Sequence, residues 1–429
     1  MSKNQDLQQR KDAVFARGMG NMAAVYVDRA VNNEIWDVEG RRFIDFAAGI
    51  AVVNTGHSHP RIKAAVAEQL ERFSHTCAMV TPYENVVELA EKLVELAPGD
   101  SRKKAVFVTT GAEAVENAVK IARAHTKRSG IIAFNGGFHG RTNMAMGLTG
   151  KVAPYKAGFG PFPGEIYHLP FPNEYHGVTM AQSLKALDEL FHCDIEPGRV
   201  AAIIIEPVQG EGGFYQAPAE FLQALRELCD QHGILMICDE IQTGFGRTGK
   251  MFATEYAGIE PDMMTMAKGI AGGFPLAAVV GKADIMDAAN PGGLGGTYAA
   301  FPLACAAALE VLKVIEEEQL CQQALAIGEL MNRRLSALQA KYPAHIGHVR
   351  NLGAMVAMEL VNDGDVDQPN AELTKALVAK GIEKGVLMLS CGVRGNVIRF
   401  LPPLTSPLEL VNEGLDLLEA SLAELIQTV

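Results

Sequence analysis

Ile203-Ile204-Ile205-Glu206, Ile234-Leu235-Met236-Ile237-Cys238-Asp239 and Met263-Met264-Thr265-Met266-Ala267-Lys268 share one design, a short apolar run that ends in a single charged residue. Runs of this length with helical pattern between them read as parallel strands buried on both faces and joined by crossover helices. Such sheets bind ligands beyond the carboxyl ends of their strands. Glu206, Asp239 and Lys268 are therefore expected together at one sheet edge. Gly269, Gly272, Gly273 and Pro275 follow Lys268 and leave its amine facing a loop with little side-chain bulk. That suits a lysine that must reach a carbonyl, although a lone lysine opening a loop would more often be a solvated one.

The chain around these runs is 429 residues long, enough for two domains and conceivably three. Net charge is −12, and no long basic run occurs, which argues against nucleic acid and anionic membrane surfaces as partners. Residues 1–10 are polar, and no stretch approaches the roughly 18 apolar residues of a membrane span, so a cytoplasmic protein is expected. The seven cysteines are scattered without a C-x-x-C pair and read as reduced core residues. His57 and His59 have a spacing that a metal could use, but a third ligand is missing nearby and no metal is expected.

A hairpin is predicted at 35–38 and 42–46 across the turn Glu39-Gly40. Further strands are predicted at 105–108 and 130–134, and a Gly-rich loop around Gly295-Gly296-Thr297-Tyr298 closes the α/β region. Leu320, Ala324, Ile327, Met331, Leu335 and Leu338 then recur at three- and four-residue steps, the stripe of a core-facing helix. The last ninety or so residues change to strands near 353–360 and 397–401 with helices at 371–384 and 407–426. Three segments are expected: 1–53 as the N-terminal part of a small domain, 54–310 as a large cofactor-binding domain, and 311–429 as the C-terminal part of the small domain.

Val106-Phe107-Val108 leads into Thr109-Thr110-Gly111-Ala112-Glu113 and a helix with Val115, Ala118, Val119 and Ala122 on one face. Free N–H groups at a helix start bind anions, and Gly111 lets a phosphate approach the backbone. Thr110 and Glu113 also suit a capping box, which would satisfy only some of those donors. Neither a P-loop nor a convincing strand-G-x-G-x-x-G-helix unit is present. What remains is a small phosphorylated cofactor. Lysine for an imine, a helix start for phosphate and Asp239 for a ring nitrogen together suit pyridoxal 5'-phosphate.

Several motifs support this: Asn54-Thr55-Gly56-His57, Thr110-Gly111-Ala112-Glu113-Ala114-Val115-Glu116, Phe138-His139-Gly140-Arg141-Thr142, Glu206-Pro207-Val208-Gln209-Gly210-Glu211-Gly212-Gly213, Asp239-Glu240-Ile241-Gln242-Thr243-Gly244, Lys268 and Gly296-Thr297-Tyr298. In this order they resemble the class III (omega-type) aminotransferases, most of all the bacterial 4-aminobutyrate aminotransferases. The resemblance implies an α/β type I pyridoxal-phosphate fold, with a mostly parallel seven-stranded sheet in a large domain and a smaller α+β domain from both chain ends. It makes Lys268 the imine-forming lysine and proton shuttle, and Asp239 the partner of the ring nitrogen. Phe138 and Ile241 would cover the two ring faces. Gln242 would lie near the phenolic oxygen with Glu206 supporting it, and His139 would belong to the same shell. Gly111 and Ala112 would bind the phosphate, and Thr297 would reach the phosphate of a neighbouring subunit. A homodimer at least, or a tetramer, follows from that last role.

For substrate, the resemblance gives Arg141 a carboxylate distal to the reacting amine and Arg399 an α-carboxylate, with Ile50 at the border of the pocket. An ω-amino acid has no α-carboxylate, so Glu211 would close on Arg399 until glutamate opens the pair. The implied reaction moves the amine of 4-aminobutyrate to 2-oxoglutarate in two half-reactions, giving succinate semialdehyde and glutamate. 5-Aminovalerate, acetylornithine and ornithine are the alternatives, and a non-catalytic pyridoxal-phosphate-binding regulator is a more distant one. This acidic chain has no room for a basic DNA-binding domain before Val53. Ala112, Met79, Phe138, Ala300-Phe301-Pro302 and Asn351 depart from common residues of the family; Asn351 is expected to supply a left-handed backbone in place of glycine.

Overall fold

The computed structural model describes residues 2–427. Its central sheet has seven strands in the order Lys103–Val108, Ala277–Lys282, Met263–Met266, Leu235–Asp239, Val200–Ile205, Gly130–Phe134 and Ile166–Leu169. Ala277–Lys282 is antiparallel to both neighbours and the other pairings are parallel. Every residue of Gly130–Phe134, Val200–Ile205 and Leu235–Asp239 is buried, as unbroken apolar runs between two helical layers require. Each fully buried isoleucine there contributes about 1.5–3 kcal/mol, so the centre of the sheet is a main source of cohesion.

Register decides where the charged run-ends fall. Ile205 sits beside Cys238, and Asp239 beside Thr265, so three strands finish level and bring Glu206, Asp239 and Lys268 to one edge. Because Ala277–Lys282 is antiparallel to both Lys103–Val108 and Met263–Met266, those two strands point the same way. The helix Gly111–Thr126 therefore begins at that same edge. Its Thr110/Glu113 capping box forms as predicted.

Both chain ends meet in the remaining structure. Val27–Val31, Glu34–Asp37 and Arg42–Asp45 form an antiparallel meander, and Val386–Leu387 adds to it parallel to Arg42–Asp45. A second sheet orders Ile346–Leu352, Met355–Asn362, Val397–Phe400 and Leu389–Cys391, with Asp365–Pro369 also on Met355–Asn362. The predicted core stripe from Leu320 to Leu338 is buried along the helix Leu320–Lys341. Among the described residues no helix is long and apolar enough to cross a membrane.

Some expectations change. Val27–Val31 forms a strand outside the predicted hairpin; it is mostly exposed and its residues carry no apolar alternation. Asn351 lies inside the extended strand Ile346–Leu352, paired with Val356, and the left-handed residue is Gly353 at φ +52. A Cβ on Gly353 would come within 2.3 Å of the Thr248 backbone. Ala300 adopts φ 55, a region where a Cβ is disfavoured.

Candidate active site

The sheet edge opens into a cavity of about 510 Å³ lined by Gly111, Ala112, Phe138, His139, Arg141, Glu206, Asp239, Ile241, Gln242 and Lys268, among others. Ten predicted site residues thus share one wall. Lys268 starts a short turn directly after Met263–Met266 and has φ 48, a left-handed backbone that costs a residue with a side chain and is found where function fixes a conformation. No described carboxylate forms an ion pair with Lys268. Burial lowers the pKa of its amine, and the charge of Arg399 adds to this against the opposing pull of Glu211, Glu206 and Asp239. The shift is toward the neutral, nucleophilic form.

Asp239 is held by three donors. Thr265 Oγ1 and the Ile241 amide donate to Oδ1 at 2.9 and 3.2 Å, and His139 Nδ1 lies 2.7 Å from Oδ2. Burial works against a charged His139, but the hydrogen bond and charge of Asp239, helped by Glu206, outweigh it and raise the imidazole's pKa. The carboxylate is thereby fixed in place at the end of its strand. Glu206 accepts from the Phe138 and Gly210 amides at 2.8 and 2.9 Å, not from Gln242 as the expected supporting role would have it. Burial, reinforced by Asp239 and opposed by His139 and these amides, pushes its carboxyl up to about 7. Gln242 Oε1 is buried with no partner.

At the helix start, a Cβ on Gly111 would meet Ile241 Cδ1 at 2.9 Å. Glycine is needed there for the approach of Ile241 as well as for an anion. Arg399 is wholly buried and pairs through Nη1 with Glu211 Oε1, while its Nε and Nη2 have no partner. Burial alone would raise the carboxyl of Glu211, yet Arg399, Lys268 and Tyr155 outweigh it and hold it below the usual carboxylate range. Ile50 lies outside the cavity wall at φ 65. Thr297 is exposed and also away from that wall. The His57 and His59 rings pair with Asp45 and Glu318, and no group of three metal-ligating side chains occurs among the described residues.

Two neighbours were not foreseen. Thr265 faces Asp239 across the strand register, which the paired run-ends could have indicated. Tyr155, whose hydroxyl donates to Glu211 Oε2 at 2.8 Å, lies in an irregular segment with no periodic signal.

The residues fit pyridoxal 5'-phosphate on these observations: an amine without an ion-pair partner, a fixed carboxylate in the same cavity lining, an orphaned Gln242 oxygen and a helix start with small residues. A family model described as aminotransferase class-III matches residues 14–422. The 5-aminovalerate aminotransferase DavT of Pseudomonas putida is 56% identical over 99% of this chain and 100% of its own length. The 4-aminobutyrate aminotransferase GabT of Escherichia coli is 53% identical over 97% of this chain and 98% of its own. Among solved structures, a transaminase from a marine Virgibacillus superposes with a TM-score of 0.92 at 27% identity, covering 99% of both chains. The chain belongs to the class III aminotransferases, enzymes that work through pyridoxal 5'-phosphate.

Proposed function

We propose that this aminotransferase takes the amino group of 4-aminobutyrate and delivers it to 2-oxoglutarate, leaving succinate semialdehyde and glutamate. The observation that carries the reading is the buried Arg399–Glu211 pair close enough to Lys268 for both charges to act on its amine. A donor with one carboxylate, at its far end, leaves Arg399 without a substrate partner, and Glu211 satisfies it. A dicarboxylate such as glutamate or 2-oxoglutarate displaces Glu211 and uses the same guanidinium. Arg141, on the cavity wall, would grip the distal carboxylate in both half-reactions.

Pyridoxal 5'-phosphate, when bound, supplies a carbonyl carbon for the amine and an electron-withdrawing ring. Lys268 would hold that carbon, Asp239 the ring nitrogen, Phe138 and Ile241 the ring faces, Gln242 the phenolic oxygen, and Gly111 and Ala112 the phosphate. Lys268 Nζ, its pKa lowered by desolvation, would then move the proton at the substrate carbon that bears nitrogen. His139 keeps Asp239 oriented through its hydrogen bond. Glu206 orders the Phe138 and Gly210 backbone around the ring. Thr297, exposed on its Gly-rich loop, suits a role toward a second copy, so the assembly is a homodimer at least, or a tetramer, acting in the cytoplasm. The segments 1–53 and 311–429 would form the small domain around the large one at 54–310.

Similarity to 5-aminovalerate aminotransferases at 56% identity supports a second donor one methylene longer. Chromatographic detection of succinate semialdehyde and glutamate from 4-aminobutyrate and 2-oxoglutarate tests the main reading. Absence of both products with cofactor-loaded enzyme would refute it.

A further inference from the structure

Tyr155 is buried to 7% exposure beside the Glu211 carboxylate. The two oxygens of Glu211 are divided between two donors: Oε1 takes Arg399 and Oε2 takes the Tyr155 hydroxyl at 2.8 Å. To free Arg399, Glu211 must leave both. The tyrosine ring also supports the other end of the pocket, because the Arg141 guanidinium lies 4.7 Å from its centroid and the Phe138 ring 4.8 Å.

The segment that carries Tyr155 is anchored on both sides. Lys151 Nζ donates to the Gly392 carbonyl at 2.7 Å, and Lys156 Nζ to the Thr149 carbonyl at 3.0 Å. The Gly392 amide in turn donates to the Glu211 carbonyl at 3.0 Å. Both the phenol and the Glu211 backbone are therefore fixed, and opening the Arg399 pair is a swing of the Glu211 side chain that breaks the phenol bond.

We propose that Tyr155 is a positioning residue that sets the closed side of the Glu211 switch and ties it to the Arg141 subsite. This rests on the roles given above to Arg141, Glu211 and Arg399. It makes a definite demand on binding. A ligand that needs Arg399 binds only the fraction of molecules in which Glu211 has swung away, and its apparent affinity scales with that fraction. Removing the phenol hydroxyl raises the fraction and should tighten such a ligand. A purely structural tyrosine would, when damaged, weaken every ligand.

The test uses two amine-free acids titrated calorimetrically into the cofactor-loaded enzyme: glutarate, a dicarboxylate that needs both arginines, and butyrate, which needs only Arg141. In Tyr155→Phe the glutarate Kd should fall about 3- to 10-fold, the net effect of one lost hydrogen bond. The butyrate Kd should stay within about twofold of wild type. Tyr155→Leu, which also removes the ring under Arg141, should weaken butyrate. Unchanged or weaker glutarate binding in Tyr155→Phe overturns the proposal, because the hydroxyl then either follows Glu211 or does not restrain it. Arg141→Ala separates this from the parent reading: it should weaken both acids, and if it weakens neither, the subsite assignment falls and this proposal with it.

Discussion

Replacing Glu211 by Ser tests the two-substrate logic of the pocket at its weakest point for any generic aminotransferase. Arg399 has no exposure, and of its donors only Nη1 has a partner, which is Glu211. With 4-aminobutyrate bound, the variant leaves this guanidinium against an aliphatic chain. Breaking a fully buried pair by deleting one member costs about 3–5 kcal/mol. Serine is smaller than glutamate, so water entering the vacated volume should reduce the penalty by about half. The expected loss in the 4-aminobutyrate half-reaction is about 10- to 100-fold, or 1.4–2.8 kcal/mol of transition-state stabilisation. Glutamate supplies its own α-carboxylate to Arg399, so its half-reaction should change by clearly less. Stopped-flow single-turnover rates with each donor measure both numbers on one preparation. Equal losses for the two donors would mean that Glu211 only supports the fold, and the switch would be wrong.

Lys268→Ala should still bind cofactor through the helix start and Asp239 but lose more than about 10⁴-fold in steady-state turnover, since nucleophile and proton carrier go together; measurable multiple turnover would contradict its role. Asp239→Asn removes the negative charge proposed to face the cofactor's ring nitrogen, and proton removal from substrate should slow at least about 100-fold; a near-normal deuterium-sensitive rate would count against the assignment. The Glu211–Arg399 pair also predicts a pH dependence of stability. Glu211 has its pKa depressed by folding, so its contribution is present above the ordinary carboxylate pKa and is lost as pH falls through the depressed value. Urea unfolding should then show a stability gap between wild type and Glu211→Ser at pH 7 that narrows toward pH 3; a gap independent of pH would refute the charge-pair origin.

The part of the site most legible in sequence was the part made by strand ends. Glu206, Asp239 and Lys268 each follow an apolar run, and parallel register alone brings such residues together. Side chains that converge from distant segments carried no such signal. Glu211 and Arg399 are 188 residues apart, and only family resemblance suggested that they meet. Tyr155 lies within the turn segment 153–158, which has neither helical nor strand periodicity, so nothing in its neighbours indicated that its hydroxyl would reach Glu211. Asn351 was assigned to a left-handed position because it replaces a glycine, whereas pairing within its sheet holds it extended. Local residue preference was overridden there by the strand around it.

The central claim is that Lys268, which shares one cavity with Asp239, takes amines from donors whose only carboxylate is at the far end. Its most direct test is a single-turnover absorbance record of the cofactor-loaded enzyme mixed with 4-aminobutyrate, 5-aminovalerate or N-acetylornithine. Unlike the two unsubstituted ω-amino acids, N-acetylornithine carries an acetamido group beside its far-end carboxylate and must fit that bulk at the Arg141 end of the pocket. The account predicts rapid loss of the cofactor's visible band with 4-aminobutyrate, loss with 5-aminovalerate within about 200-fold of that rate, the range set by one methylene, and the slowest loss with N-acetylornithine. Faster reaction with N-acetylornithine than with either ω-amino acid would contradict it.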